Sequence, residues 1–172
     1  ILPLSAITLQ SLILSSAWWE NECGYKSAFV PEGAREPVDS LWYSFHQNLD
    51  KEEIIKECKA SYDIGMKTVI IDDGWQTDDN NRGYAYCGDW QVAPKKMGDM
   101  KELVNNIHNI GMKIMLWYSV PFMGIYCDKY NEFKDMILDG CGGEKTFFAL
   151  DPRYKKVREY LADVYETAVK EW

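Results

Sequence analysis

Two stretches of the chain repeat one pattern, in which apolar residues at helical spacing are followed by a glycine and an uninterrupted apolar run. In the first stretch the glycine is Gly65 and the run is residues 68–71. In the second the glycine is Gly111 and the run is residues 114–117. Apolar runs without polar alternation are typical of strands that are buried on both faces of a parallel sheet. The repeat therefore predicts an array of alternating helices and parallel strands.

The sequence also predicts where these helices begin and end. Asp50 and Asp99 are each followed by a glutamate three residues later, which resembles a capping box at a helix N-terminus. Gly65 and Gly111 are suited to end the same helices, because glycine adopts the left-handed conformation that closes many helices.

The array is expected to extend in both directions. Residues 41–45 predict a strand upstream, and residues 147–150 form a short apolar run downstream. Asp151 and Pro152 are a suitable N-cap and first residue for a last helix, whose apolar stripe reaches Trp172.

Three buried strands that each precede a helix favour adjacent parallel strands with right-handed crossovers. An open doubly wound sheet and a (βα)₈ barrel both satisfy that rule. No strand is followed by a glycine-rich phosphate loop, which weakens the nucleotide-binding version of the open sheet. Because a barrel needs about 250 residues, we predict an α/β fold in which residues 39–172 supply the first three βα units of a TIM barrel. Residues 1–38 do not fit the array and are expected to be the end of a β domain and a linker.

Composition narrows the classes of partner. The net charge is −8 and no cluster of Lys or Arg offsets it, so we expect neither a nucleic acid nor an anionic membrane as partner. Residues 1–14 are apolar but interrupted by proline and polar residues, which argues against a membrane span and a signal peptide. The five cysteines are irregularly spaced without a CxxC pair, so we expect no metal site and mostly reduced thiols, and we favour the cytoplasm. They are Cys23, Cys58, Cys87, Cys127 and Cys141.

Aromatic residues, 14% of the chain with 7 tryptophans, collect where the predicted strands end. In βα folds the functional face lies at the carboxyl ends of the strands. Indoles beside carboxylates suit a sugar ring, whose C–H face packs on the indole while its hydroxyls need polar acceptors. The candidate substrate-binding residues are Trp42, Tyr43, Asp72, Asp73, Trp75, Asp89, Trp90 and Trp117.

The same residues could have a structural role instead of binding a sugar. A tryptophan can fill the barrel core, and aspartate before Gly74 is common turn chemistry. Asp72 and Asp73 also make a poor catalytic pair, because successive residues of a strand point to opposite sides while a retaining glycosidase needs two carboxyls about 5 Å apart on one centre. We therefore interpret both as substrate binders.

From residue 39 to its end the chain resembles family 36 of the glycoside hydrolases, the α-galactosidase or melibiase family, which also contains raffinose and stachyose synthases. The resemblance rests on motifs in one order: Ser40-Leu41-Trp42-Tyr43, Ile71-Asp72-Asp73-Gly74-Trp75, Gly88-Asp89-Trp90, Ile107-His108, Gly111-Met112-Lys113, Leu116-Trp117-Tyr118, Leu150-Asp151 and Val157-Arg158-Glu159-Tyr160-Leu161.

The resemblance implies a retaining α-galactosidase on a (βα)₈ barrel that is preceded by a β-sandwich domain, whose tail would be in residues 1–38. It implies no cofactor and α-galactoside oligosaccharides as substrates, and it leaves open whether the whole protein is a homo-oligomer. It implies that Asp72 and Asp73 hold galactose hydroxyls and that Trp42 and Trp117 line the galactose pocket. Asp89 and Trp90 would lie near the substrate entrance.

The resemblance also implies where the catalytic groups belong. The nucleophile and the acid/base lie on barrel strands four and six of such enzymes, and both strands are expected after Trp172. No catalytic residue is therefore expected in this chain, which should be inactive alone.

Two departures from the family pattern leave the substrate open. Ser119-Val120-Pro121-Phe122 stands where α-galactosidases usually have Glu-Pro-Glu, and Lys95-Lys96-Met97 stands where they usually have Lys-Phe-Pro. The alternatives are a raffinose-synthase-like galactosyl transferase and a non-catalytic carbohydrate-binding barrel. A phosphosugar-processing α/β enzyme is a further rival.

Overall fold

The N-terminal part of the chain is helical. A computed structural model describes residues 4–138 and 146–172, so that Cys141 lies outside the described residues. The structure divides into two compact units, residues 1–35 and 36–172. The first unit contains helix α1 (Leu4–Glu22) and a 3₁₀ turn at Glu32–Ala34.

The prediction of a β-domain end is wrong for Leu4–Glu22, and the β-sandwich tail is not confirmed. Apolar side chains occupy all sides of α1 without alternating, which is not the pattern of a half-buried strand. A helix also satisfies its backbone hydrogen bonds within one segment, whereas a strand needs a neighbour. Across the described residues, every helix is too short or too polar to cross a membrane.

The second unit begins with a parallel sheet, as predicted. Its strands lie in the order β1-β2-β3, and Thr68 of β2 pairs with Val38 on one side and Lys113 on the other. The elements in chain order are β1 (Val38–Ser40), α2 (Trp42–Phe45), α3 (Lys51–Asp63), β2 (Thr68–Ile71), α4 (Pro94–Met97), α5 (Met100–Ile110) and β3 (Lys113–Leu116).

The predicted strand at residues 41–45 is wrong in its position. The strand ends at Ser40, and Trp42–Phe45 form one helical turn. The Leu41 N–H still donates to the Ile70 carbonyl at 3.1 Å, so the pairing with β2 continues to the residue before that turn.

The predicted ends of helices α3 and α5 are confirmed. The Asp50 carboxylate accepts the N–H groups of Glu52 and Glu53, and the Asp99 carboxylate accepts the N–H of Glu102 at 3.0 Å. Gly111 closes α5 with φ 99°, in the left-handed region that favours glycine.

The prediction of strands buried on both faces holds for β2 and fails for β3. Val69 and Ile71 of β2 are fully buried, whereas Met115 of β3 is 53% exposed and Lys113 is exposed. The reason is that β3 pairs with β2 alone among the described residues and lies at the edge of their sheet.

An excursion between β3 and the last helix forms a second, antiparallel sheet. Its strands lie in the order β4-β6-β5, so residues 147–150 do not continue the parallel array as predicted. The elements in chain order are β4 (Phe122–Gly124), α6 (Tyr130–Phe133), β5 (Ile137–Leu138), β6 (Phe147–Leu150) and α7 (Lys155–Glu171).

Asp151 does not cap the last helix, which begins only at Lys155. Its buried carboxylate instead accepts the Arg153 backbone N–H at 2.9 Å and pairs with the Arg153 guanidinium at 2.6 Å. Because this ion pair engages both carboxylate oxygens, the turn before the helix is closed by Asp151 and the helix starts later.

Candidate functional site

The chain segments that follow β1, β2 and β3 meet at one edge of the parallel sheet. The Trp117 N–H donates to the Ile71 carbonyl at 2.9 Å, which places the residue after β3 beside the end of β2. Trp42, Asp72 and Trp117 are half-buried at this edge. These three predicted substrate binders therefore share one surface of the protein.

Asp73, the second aspartate after β2, is held by two glutamine side chains. The carboxylate is almost completely buried, with 4% of the residue exposed. One oxygen accepts from Gln47 Nε2 at 2.5 Å and the other from Gln76 Nε2 at 2.7 Å. Each glutamine is fixed in turn, because Gln47 Oε1 accepts the Arg82 N–H at 2.6 Å and Gln76 Oε1 accepts the Gly74 N–H at 3.0 Å. The carboxylate of Asp73 thus has a fixed orientation.

Burial raises the pKa of Asp73 above its usual value of 3.8. The hydrogen bonds from Gln76, Gln47 and the Gly74 backbone lower the pKa and partly offset this effect, while the charge of Asp72 raises it further. Burial therefore disfavours the charged form of Asp73, and the hydrogen bonds from the two glutamines reduce that desolvation cost.

Asp72 is the more accessible of the two aspartates. Its Oδ1 accepts the Asp73 N–H at 2.7 Å, and its Oδ2 accepts no hydrogen bond from the part of the chain that the structure describes. One carboxylate oxygen at the end of β2 is therefore available to a ligand.

A buried lysine joins the segments after β1 and β2. Lys96 is 8% exposed, and its ammonium donates to the carbonyls of Gln47 at 2.8 Å, Gly74 at 3.2 Å and Asp79 at 3.1 Å. Burial lowers the pKa of Lys96, and the nearby charges of Asp78, Asp79 and Asp73 oppose that change. We call Gln47, Asp72, Asp73, Gln76 and Lys96 the hydrogen-bonded side of the site.

Gly74 is required where these segments meet. Its φ of 114° lies in the left-handed region, and a Cβ at this position would come within 2.7 Å of the Gln47 Cα. Because the obstacle is backbone, no side-chain rotation relieves it. The close approach of Gly74 brings Gln47 within reach of Asp73.

Four half-buried rings form the opposite side of the site. Tyr84, from the loop after β2, stacks on Trp117 with ring centroids 6.0 Å apart and an interplanar angle of 14°. The Tyr84 ring also contacts Phe122 at 5.1 Å and Phe147 at 5.0 Å, and those two rings lie 5.0 Å apart. We call Tyr84, Trp117, Phe122 and Phe147 the aromatic side.

The second sheet holds the loop that carries Tyr84. The Gly124 N–H donates to the Cys87 carbonyl at 2.6 Å, and the Tyr126 N–H donates to the Ala85 carbonyl at 2.9 Å. A Cβ on Gly124 would overlap the carbonyls of Tyr84 and Ala85, so glycine allows the loop to lie directly on β4. The excursion therefore sets the position of the aromatic side.

Two of the predicted tryptophans are buried. Trp75 is fully buried, and its Nε1 donates to the Trp117 carbonyl at 2.9 Å, which ties the segment after β2 to the end of β3. Trp90 is 4% exposed, and its Nε1 has no hydrogen-bond partner among the described residues. In this structure both indoles pack against Tyr118 and belong to the aromatic core beneath the site.

Trp172, after which the catalytic groups are expected, packs on the same core. It follows the last residue of α7, and its N–H donates to the Ala168 carbonyl at 3.2 Å. Its ring meets the Trp75 ring edge-on, with centroids 5.7 Å apart. These contacts anchor Trp172 on the aromatic core. That the nucleophile and the acid/base follow Trp172 stays a prediction.

The remaining predicted residues lie at the margins of the site. The Asp89 carboxylate accepts the N–H groups of Asp128 at 2.8 Å and Lys129 at 3.0 Å, so it fixes the turn before α6. Tyr43 is 85% exposed on the helical turn after β1. Trp42 meets the His46 ring edge-on at 5.1 Å.

Residues 34–167 match the family model described as Melibiase. The chain belongs to the melibiase family. Among curated proteins it is similar to the bifunctional α-galactosidase/sucrose kinase AgaSK of Mediterraneibacter gnavus, with 28% identity in an alignment that covers 75% of this chain and 14% of that protein. It is 24% identical to α-galactosidase Mel36A of Lactobacillus acidophilus over 77% of this chain and 18% of that protein. The chain thus spans less than a fifth of the curated relatives named here.

Solved structures of family 36 share the fold. The α-galactosidase AgaB of Geobacillus stearothermophilus superposes with a TM-score of 0.73 at 19% identity, over 84% of this chain and 20% of that one. A variant of AgaA from the same organism, in complex with raffinose, superposes with a TM-score of 0.68 at 18% identity, over 78% of this chain and 20% of that one. The α/β fold of this melibiase chain is therefore that of a part of these enzymes.

The sequence does not single out four residues of the candidate site, namely Gln47, Gln76, Tyr84 and Lys96. Gln47 and Gln76 stand next to the strand ends, and their amide side chains were a usable signal. Tyr84 and Lys96 lie in the long segment between β2 and α5, where no periodicity indicates which side chains turn inward. Within the described residues no group of three or more His, Cys, Asp or Glu could hold a metal ion.

Proposed function

We propose that this chain is the part of an α-galactosidase that holds the galactosyl unit of an α-galactoside oligosaccharide. The proposal includes the topology: β1, β2 and β3 would be the first three strands of a (βα)₈ barrel that further residues complete. The names of the curated relatives support the activity, and the small share of their length that this chain spans supports its role as one part of the enzyme.

The observation that carries the proposal is the free oxygen of Asp72 beside Trp117. A carboxylate oxygen can accept a galactose hydroxyl, and the half-buried indole can pack on the C–H face of the ring. Asp73, with both oxygens held by glutamines, keeps lone pairs that can accept a second hydroxyl in a fixed direction. A fixed direction is what distinguishes sugars that differ at one hydroxyl.

The reaction we propose is hydrolysis of the α-galactosyl C–O bond, with water supplying the hydroxyl of the released galactose and the proton of the leaving group. Asp72 and Asp73 do not suit the paired roles of nucleophile and acid, because both oxygens of Asp73 are engaged by amides and Asp72 alone cannot fill both roles. We propose that both catalytic carboxyls come from residues beyond Trp172, so that residues 1–172 alone bind galactose without cleaving galactosides.

The test measures galactose release from raffinose by the full gene product. Asp72→Asn is expected to lower kcat/KM about 100-fold, because it weakens charge-assisted hydrogen bonds to the sugar. Asp78→Asn is the matched control, since Asp78 is a solvent-exposed aspartate of the same loop that pairs with Lys95. Equal kcat/KM values for Asp72→Asn and the wild type would contradict the assignment of the site. A full gene product that releases no galactose would contradict the activity itself.

A further inference from the structure

His46, the residue after α2, has a backbone conformation that side-chain-bearing residues rarely adopt. Its φ is 49° and its ψ is −131°, and the Asn48 N–H donates to the Phe45 carbonyl at 3.0 Å across it. These angles are close to the values of about 60° and −120° at the first central residue of a type II′ turn, a position that favours glycine. Strained residues of this kind persist where the surroundings hold them, and they collect at functional sites.

The side chain of His46 contacts Trp42. The two rings meet edge-on, with centroids 5.1 Å apart and an interplanar angle of 70°. The His46 backbone holds the same residue, because its N–H donates to the Trp42 carbonyl at 3.0 Å. Within the described residues the imidazole makes no hydrogen bond, so the contact with the indole is what the ring itself contributes.

The turn itself does not need a histidine. It directs the next residue, Gln47, into the protein, where Gln47 is 1% exposed and donates to the Asp73 carboxylate at 2.5 Å. A glycine in place of His46 would form the same turn without strain and would keep the backbone hydrogen bonds to Trp42 and across the turn. What a glycine would not supply is the ring against Trp42.

We propose that His46 is a positioning residue that orients the Trp42 indole in the galactosyl site. The inference rests on the proposed function, since it needs a galactosyl unit at Asp72. Trp42 is half-buried at the same edge of the sheet as Asp72 and Trp117, so part of its ring stays accessible to a ligand. An unsupported indole rotates between several staggered conformations. A neighbouring ring that selects one of them lets the indole pack on the C–H face of the sugar without first being ordered.

His46→Gly tests this role in the full gene product, with raffinose and α-galactosyl fluoride as substrates. Both carry a galactosyl unit, and the fluoride carries no second sugar. We expect KM for both to rise about five-fold, as the loss of one aromatic pair predicts, and kcat to change less than about two-fold. The variant should also be more stable, with a urea midpoint about 0.5 M higher, because glycine relieves the strain of the turn. A histidine with a merely structural role would not give weaker binding together with higher stability.

Two further variants separate the ring from the turn. His46→Phe keeps a ring beside Trp42 and should retain the wild-type KM for both substrates. Ser44→Gly is the matched control, because Ser44 is exposed in α2 and glycine there keeps the N–H that donates to the Leu41 carbonyl at 3.2 Å. It should leave KM for both substrates unchanged.

A double-mutant cycle shows whether His46 acts through Trp42. In a Trp42→Leu background, His46→Gly should have no further effect on KM. An equal further rise in KM there would mean that His46 contacts the sugar itself, and would overturn the positioning role. A His46→Gly variant with wild-type KM, or with lower stability, overturns it as well, and so does a His46→Phe variant as impaired as His46→Gly. In each of these cases a wild type that cleaves both substrates leaves the proposed function intact, whereas a wild type that cleaves neither overturns the proposed function and this inference with it.

Discussion

On the hydrogen-bonded side of the site, polar groups that are almost fully buried hold one another, whereas on the aromatic side the rings contact one another and stay half exposed. Asp73, Gln47 and Lys96 are 4%, 1% and 8% exposed, and each has its partners within the protein. Tyr84 and Trp117 keep accessible ring surface. One side is fixed by directed bonds and the other by contact between flat surfaces.

This difference suggests a division of labour in recognition. Hydrogen bonds are directional and leave a buried group unsatisfied when the ligand lacks the matching hydroxyl, so they discriminate between closely similar sugars. Ring contacts depend on area more than on direction and tolerate variation. We therefore expect the hydrogen-bonded side to select the galactosyl unit strictly and the aromatic side to tolerate variation in the group that it contacts.

The largest expected effect concerns Lys96, on which the hydrogen-bonded side depends. Lys96→Met removes the hydrogen bonds that the ammonium donates to the carbonyls of Gln47, Gly74 and Asp79, and of these three the Gln47 carbonyl still accepts the Leu49 N–H. We expect the free energy of unfolding of the full gene product to fall by about 3 kcal/mol, at about 1 kcal/mol for each hydrogen bond that is lost. Activity on raffinose and on α-galactosyl fluoride should fall together. Urea denaturation and the two kinetic assays measure these effects.

The adjacent Lys95 provides a control in the same helix. It is exposed, and its one ion-pair partner among the described residues is Asp78 on the surface. Lys95→Met should therefore leave both the stability and the activity unchanged, because exposed ion pairs contribute little. If the two variants were equally stable, or if Lys96→Met affected raffinose alone, the division between the two sides would be wrong.

The fold could be predicted where the signals are local. Asp50, Asp99 and Gly111 act at helix ends through neighbouring residues, and the sequence predicts them correctly. The antiparallel pairing of Phe122 with Ala149 depends on residues far apart in the chain, and the apolar run alone cannot distinguish it from a parallel strand. The same limit applies to α1, because an apolar run that is broken by polar residues indicates neither helix nor strand.

The sequence predicts those residues of the site that stand next to the strand ends. Asp72 and Trp117 lie where the strand pattern predicts them. Lys96 and Tyr84 reach the site through a loop whose path is set by tertiary contacts, including the close approaches at Gly74 and Gly124. Lys96 follows the solvent-exposed Lys95 and Tyr84 stands two residues before the exposed Tyr86, so residue type alone does not distinguish the inward-facing side chains from their exposed neighbours.

An intermediate effect is expected from Gly124→Ala, which disturbs the aromatic side alone. The new methyl group overlaps the carbonyl of Ala85, so the loop that carries Tyr84 must move away from β4. We expect a loss of about 2 kcal/mol in the free energy of unfolding, as for other overpacked positions. Activity on raffinose should fall several-fold less than it does in Lys96→Met.

Gly83→Ala tests whether any added methyl group in this loop has the same effect. Gly83 immediately precedes Tyr84, and a Cβ there meets no atom within 4 Å. We therefore expect wild-type kinetics and stability from it. A Gly124→Ala variant that lost as much activity as Lys96→Met would show that the second sheet supports the hydrogen-bonded side as well.

The smallest expected effect is a difference in pH dependence between two buried aspartates. Asp73 belongs to the hydrogen-bonded side and has neutral amide partners, whereas Asp151 lies at the end of β6 and pairs with the Arg153 guanidinium at 2.6 Å. Burial raises the pKa of Asp73 above 3.8, and the ion pair with Arg153 lowers the pKa of Asp151 below 3.8. The pKa is thus raised at Asp73, whose partners are neutral amides, and lowered at Asp151, whose partner is a charged guanidinium.

The two shifts affect stability in opposite directions as the pH changes. The stabilisation of the folded state that follows from the raised pKa of Asp73 is fully present below pH 3.8. It is lost as the pH rises through the folded-state pKa. The contribution of Asp151 is present above pH 3.8 and is lost as the pH falls through its lowered pKa. In urea denaturation across this range, the stability of wild type relative to Asp73→Asn should decline with rising pH, and relative to Asp151→Asn it should increase. If both differences rose with pH, Asp73 would have a charged partner after all, and charge as well as neutral amides would fix the hydrogen-bonded side.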